Sequence, residues 1–82
     1  MTVRAAADGS IELVGTCPSG DAEALLQLLL ADAAATVDWG ACTGAHTAVV
    51  QVLMALRPKL RGSPADGRLR DWVAPAITYS AA

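Results

Sequence analysis

One short stretch gathers most of the chemically able side chains. In "VDWGACTGAHTAVVQVLMAL", residues 37–56, stand Asp38, Cys42, Thr43, His46 and Thr47. A cysteine beside a histidine suggests nucleophilic catalysis, in which the imidazole takes the thiol proton. Cys42 and His46 are four apart, which would bring them together on one helix, but "ACTGA" reads as a turn between them. Zinc needs about four ligands, and Cys17, Cys42 and His46 supply three. Paired carboxylates for acid–base work have only Asp38 near this corner. There is no GxxxxGK[ST] or GxGxxG to cradle a nucleotide. The residues therefore predict no enzyme, no cofactor and no metal, and a small ligand-binding or thiol-enzyme domain using Cys42 and His46 stands as an alternative. A hydroxyl at a helix N-terminus remains: Thr47 could carry a phosphate there, where free N–H groups and the dipole favour negative charge. The alternative is that Thr47 or Thr43 merely caps the helix.

The elements that must position these residues follow from periodicity and punctuation. "TVRAA" and "SIELVG" flank Asp8-Gly9 and predict a β-hairpin, with Ile11 and Leu13 facing one way and Glu12 and Val14 the other. "DAEALLQLLLAD", 21–32, predicts a helix, with Asp21 and Glu23 in the first turn and apolar residues at helical spacing. "ATVDWG", 35–40, predicts a strand. A second helix is expected over about 46–57 and stops before Pro58, because the residue before proline avoids the helical region. "KLRG", 59–62, predicts a short strand. A last helix is expected near 66–74, with Leu69, Trp72 and Val73 at helical spacing, Pro75 as its end, and 75–82 as a loose tail. The order is β-β-α-β-α-β-α: one α/β domain over 1–82 with a small mixed four-stranded sheet and helices covering one face.

At 100° per residue, Ala45, Val49, Val52, Leu53 and Leu56 form the second helix's core stripe. Thr47 and Gln51 face water. Val50 and Met54 also point away from the core and predict an apolar surface spot.

Composition limits the partners. The chain has 82 residues and 54% hydrophobic content, above the roughly 45–50% usual for soluble domains. It has no Phe, so the core must be aliphatic, with Trp39 and Trp72 as the large rings besides Tyr79. Net charge is −2, which argues against nucleic acid. Arg57, Lys59, Arg61, Arg68 and Arg70 crowd the last third, interrupted by Asp66 and Asp71. No apolar run approaches the ~20 residues of a membrane span. "MTVRAAADGSIEL" holds no apolar stretch typical of a secretory leader. The expectation is a cytoplasmic protein with reduced cysteines.

The strand "VDWGACT" followed by "GAHTAVVQVLMAL" resembles the central signature of STAS domains (sulfate transporter and anti-sigma factor antagonist). There an apolar-Asp-apolar strand leads into an Asp-Ser-Ser-Gly-like segment that opens an apolar helix. Asp38 falls on the strand Asp, and Val50, Val52, Leu53, Ala55 and Leu56 on the helix. The element order fits over nearly the whole chain. His46-Thr47-Ala48-Val49 stands where the family has Asp-Ser-Ser-Gly. Ala48 thus occupies the position that anti-sigma factor antagonists phosphorylate, and it has no hydroxyl. Thr47 matches the preceding Ser. The resemblance implies a non-catalytic regulatory module. Its implied partner is a protein: an anti-sigma factor or kinase, or a subunit of an ABC transporter complex. The implied contact surface is Thr43, Gly44, His46, Thr47, Val50, Gln51 and Met54.

Overall fold

A computed structural model describes residues 2–80, the last three of them by backbone alone. The elements are β1 (Val3–Ala5), β2 (Ile11–Cys17), α1 (Asp21–Ala31), β3 (Thr36–Ala45), α2 (Thr47–Leu56), β4 (Lys59–Arg61), a π-helical turn (Leu69–Val73) and α3 (Ala74–Ser80). The sheet runs β1-β2-β3-β4. β1 and β2 are antiparallel; β2, β3 and β4 are parallel. The chain is thus a small mixed α/β fold with a four-stranded sheet.

The predicted hairpin forms where expected. Gly9 takes φ +88°, a region open to glycine because it has no Cβ. Asp8 Oδ1 accepts hydrogen bonds from the Ser10 amide at 2.9 Å and the Ser10 hydroxyl at 2.6 Å. These bonds, the hydroxyl's foremost, hold the Asp8 carboxyl below its ordinary range, and the nearby Arg61 guanidinium adds to the effect.

One face of the sheet carries the core. Val3, Ile11, Leu13, Val37 and Trp39 are buried with Leu25 and Leu29 of α1 and Val49 and Leu53 of α2. The other face carries a row of charges that crosses all four strands. Arg4 pairs in register with Glu12, Glu12 with Asp38, and Asp38 with Arg61. Two acids side by side repel, and each has an arginine on its outer flank: Arg4–Glu12 at 3.2 Å and Arg61–Asp38 at 3.1 Å. The Asp38 carboxyl is held low by the Gly40 amide first and by Arg61 second.

Three expectations are corrected. The "ACTGA" segment is not a turn: β3 runs through it to Ala45, so α2 starts at Thr47 and Ala45 belongs to the strand. The reason is register. Val37 pairs with Ile11, but Ala41 pairs with Val14 and Gly44 with Thr16, so β3 fits two extra residues against β2 through two irregularities. The first irregularity resets which residues of β3 face inward. Val37 and Trp39 are buried, Gly40 and Ala41 both face out, and Cys42 and Gly44 are buried again. A strict alternation rule reads that break as the end of a strand.

The second correction concerns the last helix, which passes through Pro75 to Ser80 and buries Ile77. Residues 75–80 are therefore not a loose tail; 81 and 82 lie outside the described residues. In a regular helix the Pro75 ring would meet the carbonyl four residues back. Here a wide turn precedes it, closed by the Ala74 amide on the Leu69 carbonyl, and the extra residue in that turn relieves the contact.

The third is placement. Trp72 is 78% exposed and Leu56 39% exposed, so neither is core. α2 stops as predicted before Pro58, with Arg57 in the left-handed region at φ 48° and its amide bonded to the Leu53 carbonyl at 2.8 Å.

β3 and the loop after β4 meet at two glycines. A Cβ on Gly62, where φ is +86°, would lie 2.9 Å from the Gly40 Cα. The Gly62 carbonyl also accepts the Trp39 indole N–H at 3.1 Å. Gly62→Ala should therefore lower stability by about 2 kcal/mol or more in urea unfolding. Gly9→Ala, with an equally positive φ but open space around it, should cost less. Equal losses would mean that backbone strain alone, and not the close approach, fixes Gly62.

Candidate functional site

The corner sought from the sequence lies at the C-terminal ends of β2 and β3, the start of α2, and the segment leading into the last helix. Backbone bonds hold these pieces together. The His46 amide donates to the Cys17 carbonyl at 2.9 Å, and the Ala65 amide to the Cys42 carbonyl at 3.2 Å. The Thr16 and Thr43 hydroxyls share a hydrogen bond of 3.0 Å on the open sheet face. β2 and β3 thus end side by side, and 65–69 is tied against β3.

α2 needs a cap for its first amides. His46 supplies it: Nδ1 accepts the Ala48 amide at 3.1 Å, and the His46 carbonyl accepts the amides of Val49 and Val50. Neither Thr47 nor Thr43 is the cap. Thr43 is bonded to Thr16, and Thr47 is an exposed residue of the first helical turn. An Asp at position 46, as the resemblance would have it, is also a favoured cap acceptor. The imidazole fills the same role.

The thiol and the imidazole do not meet as a dyad. Cys42 is fully buried, and its Sγ–H donates to the Gly44 carbonyl at 3.2 Å. His46 is exposed and its Nδ1 is engaged by the helix. Cys17 is buried beside Cys42, and burial pushes its thiol up to about 12, with the neighbouring Cys42 adding to the rise. Among the described residues no group of three or more His, Cys, Asp or Glu is arranged to hold a metal ion.

Of the seven residues expected on the contact surface, the structure brings most to one side. Thr47, Gln51 and Met54 are exposed at i, i+4 and i+7 of α2, which places them on one stripe. Met54 is 45% exposed. His46 and Thr43 are exposed nearby. Gly44 is buried, so it offers no surface and is removed from the set. Val50 is half-buried and packed against the core, so it is not the open partner of Met54 that the helical angles predicted.

Val50 instead lines a cleft of about 200 Å³ with Ala45, Thr47, Asp66, Arg68, Leu69 and Val73. The last four were absent from the expected site. Asp66 had a readable signal, an acid just before a helical pattern. Its Oδ1 accepts the amides of Arg68 at 2.8 Å and Leu69 at 3.2 Å, starting the last helix. That this helix start leans on β3 beside α2 depends on the Ala65–Cys42 bond, for which periodicity gives no sign.

No protein-family model matches this chain, and no curated protein or solved structure matches it significantly. No helix among the described residues is long and apolar enough to cross a membrane.

The thiol geometry has a measurable consequence. In the folded protein near pH 7 both cysteines should react with iodoacetamide far more slowly than a free thiol. Labelling should become rapid only in denaturant. Fast labelling of native Cys42 would mean that the thiol is activated after all and would reopen a catalytic reading.

Proposed function

We propose that the chain is a cytoplasmic, non-catalytic regulatory module of the STAS kind, which binds a protein partner through the strand–helix corner. The observation that carries this reading is the exposed stripe Thr47, Gln51 and Met54 on α2, beside His46 and the cleft. Met54 is one of the few large hydrophobic side chains left in water, and a long, pliable thioether suits a contact surface. The mixed α/β sheet and the order of its elements agree with the resemblance carried by residues 37–56. Ala48, at the position the resemblance assigns to the phosphoacceptor, lies in the first turn of α2 with its amide on His46. Without a hydroxyl it leaves the module unswitched at that position. The partner is of the anti-sigma factor, kinase or transporter-subunit type.

A photo-crosslinking amino acid placed at Met54 in cells should capture a specific protein, whereas the same group at Val14 on the open sheet face should not. Met54→Glu should abolish co-purification of that protein with no change in the thermal midpoint. Equal capture from both faces, or capture unaffected by Met54→Glu, would refute the surface assignment.

A second reading makes Thr47 a phosphoacceptor. It is favoured by one observation: exposed Thr47 and Arg68 line the same cleft, so a phosphate on Thr47 would have a guanidinium at hand. Mass spectrometry of the protein isolated across growth conditions tests it. Consistent absence of a phosphate on Thr47 counts against this switch and leaves the partner surface as it stands.

A further inference from the structure

We propose that the cleft between α2 and the last helix is a binding site for a free aliphatic α-amino acid, held as its zwitterion. This goes beyond the partner-binding reading and does not depend on it.

The size of the cleft sets the first limit. At about 200 Å³ it lies below the ~300 Å³ at which sites for drug-sized molecules begin. A partner helix does not enter such a space, but a single small molecule does. The lining sets the second. Val50, Leu69 and Val73 give an aliphatic floor, whereas Thr47, Asp66 and Arg68 are polar. Leu69 is buried and Val50 and Val73 are packed on the core, so the floor is fixed by the fold.

The two charges set the third. Among the described residues Arg4, Arg61 and Arg70 pair with acids, whereas Arg57, Lys59 and Arg68 make no ion pair or side-chain hydrogen bond, and of these three Arg68 lines the cleft. Its guanidinium is therefore available to a carboxylate, for which its planar fork is suited. Asp66 spends Oδ1 on two amides of its own helix start, and no hydrogen bond engages Oδ2. That oxygen can accept from an ammonium. The Asp66 carboxylate and the Arg68 guanidinium form no ion pair with each other, although both residues line the cleft. One positive and one negative residue, each with unused capacity, lining one cleft with an aliphatic floor, complement a molecule that carries both charges and an apolar branch. A peptide C-terminus or N-terminus would satisfy only one of them. An aliphatic amino acid satisfies both, with the Thr47 hydroxyl on the same rim as a further donor.

The test uses the whole protein and follows the backbone amide signals of Val50, Leu69 and Val73 by NMR. The probes are L-leucine, N-acetyl-L-leucine, L-leucinamide and glycine. L-Leucine should shift these signals. Masking the ammonium or the carboxylate should weaken binding several-fold to roughly tenfold each, and glycine, without a branch, should bind least. Arg68→Gln should make L-leucine and L-leucinamide equivalent. Asp66→Asn retains an oxygen to start the helix and should make L-leucine and N-acetyl-L-leucine equivalent. The proposal is overturned if millimolar L-leucine leaves the cleft signals in place. It is also overturned if the three leucine compounds bind equally, or if the shifts fall elsewhere on the molecule. Any of these results leaves the Met54 surface to be judged by its own crosslinking outcome.

Discussion

Everything at the corner depends on the way β3 is seated against β2. Nine residues of β3, Val37 to Ala45, lie beside the seven of β2, and the two extra residues are taken up by two breaks in register. In a chain with no Phe, the largest buried side chain is Trp39, and it must face the helices. Strict alternation from Trp39 would then bury Ala41 and expose Cys42. The first break instead turns Gly40 and Ala41 outward together and returns Cys42 to the core. Burial of the indole and burial of the thiol are compatible only because the strand is irregular. The small residues "GACTGA" let the backbone accommodate this, and glycine at position 40 also allows the loop after β4 to approach closely.

Polar groups are distributed by the same logic. On the uncovered face, charges stand in an order that neutralises each acid locally: arginine, acid, acid, arginine across the four strands. These pairs are solvent-exposed and each contributes little to stability. Their clearer effect is on association, since they leave no acid of this row unmatched, while Arg57, Lys59 and Arg68 make no ion pair among the described residues. Of these three cations Arg68 lines the cleft, and that place, rather than its lack of a partner, separates the candidate site from the scaffold.

The residues displayed the architecture more fully than the site. The hairpin, α1, the stop of α2 at Pro58 and the order of elements follow from local signals: Asp8-Gly9, helical spacing, and the conformational limit that proline sets on Arg57. The strand through "ACTGA" was hidden because alternation cannot register an irregularity that exists only relative to a neighbouring strand. The helix through Pro75 was hidden because a proline forbids a regular helix but not one that has just widened by a residue. Thr47, Gln51 and Met54 could be placed on one stripe from the helical angle alone. Asp66, Arg68, Leu69 and Val73 could not be joined to them, because their approach to α2 is fixed by the long-range bond between Ala65 and Cys42. The buried state of Gly44 has the same origin, since it follows the reset in β3.

The corner therefore has an unusual division of labour between backbone and side chain. Its walls come from three separate elements, yet its ties are largely main-chain: His46 to Cys17 and Ala65 to Cys42. Side chains add to it at two helix starts, the His46 imidazole through the cap on Ala48 and Asp66 Oδ1 on the amides of Arg68 and Leu69, and at the Thr16–Thr43 hydroxyl pair. An acid at position 46 would bring the same acceptor with a negative charge at the start of α2. The imidazole, accepting through Nδ1, gives α2 its cap without a carboxylate. The helix start then keeps its preference for negative groups. Ala48 likewise offers no hydroxyl that a modification could charge, so the charged residues lining the cleft are Asp66 and Arg68.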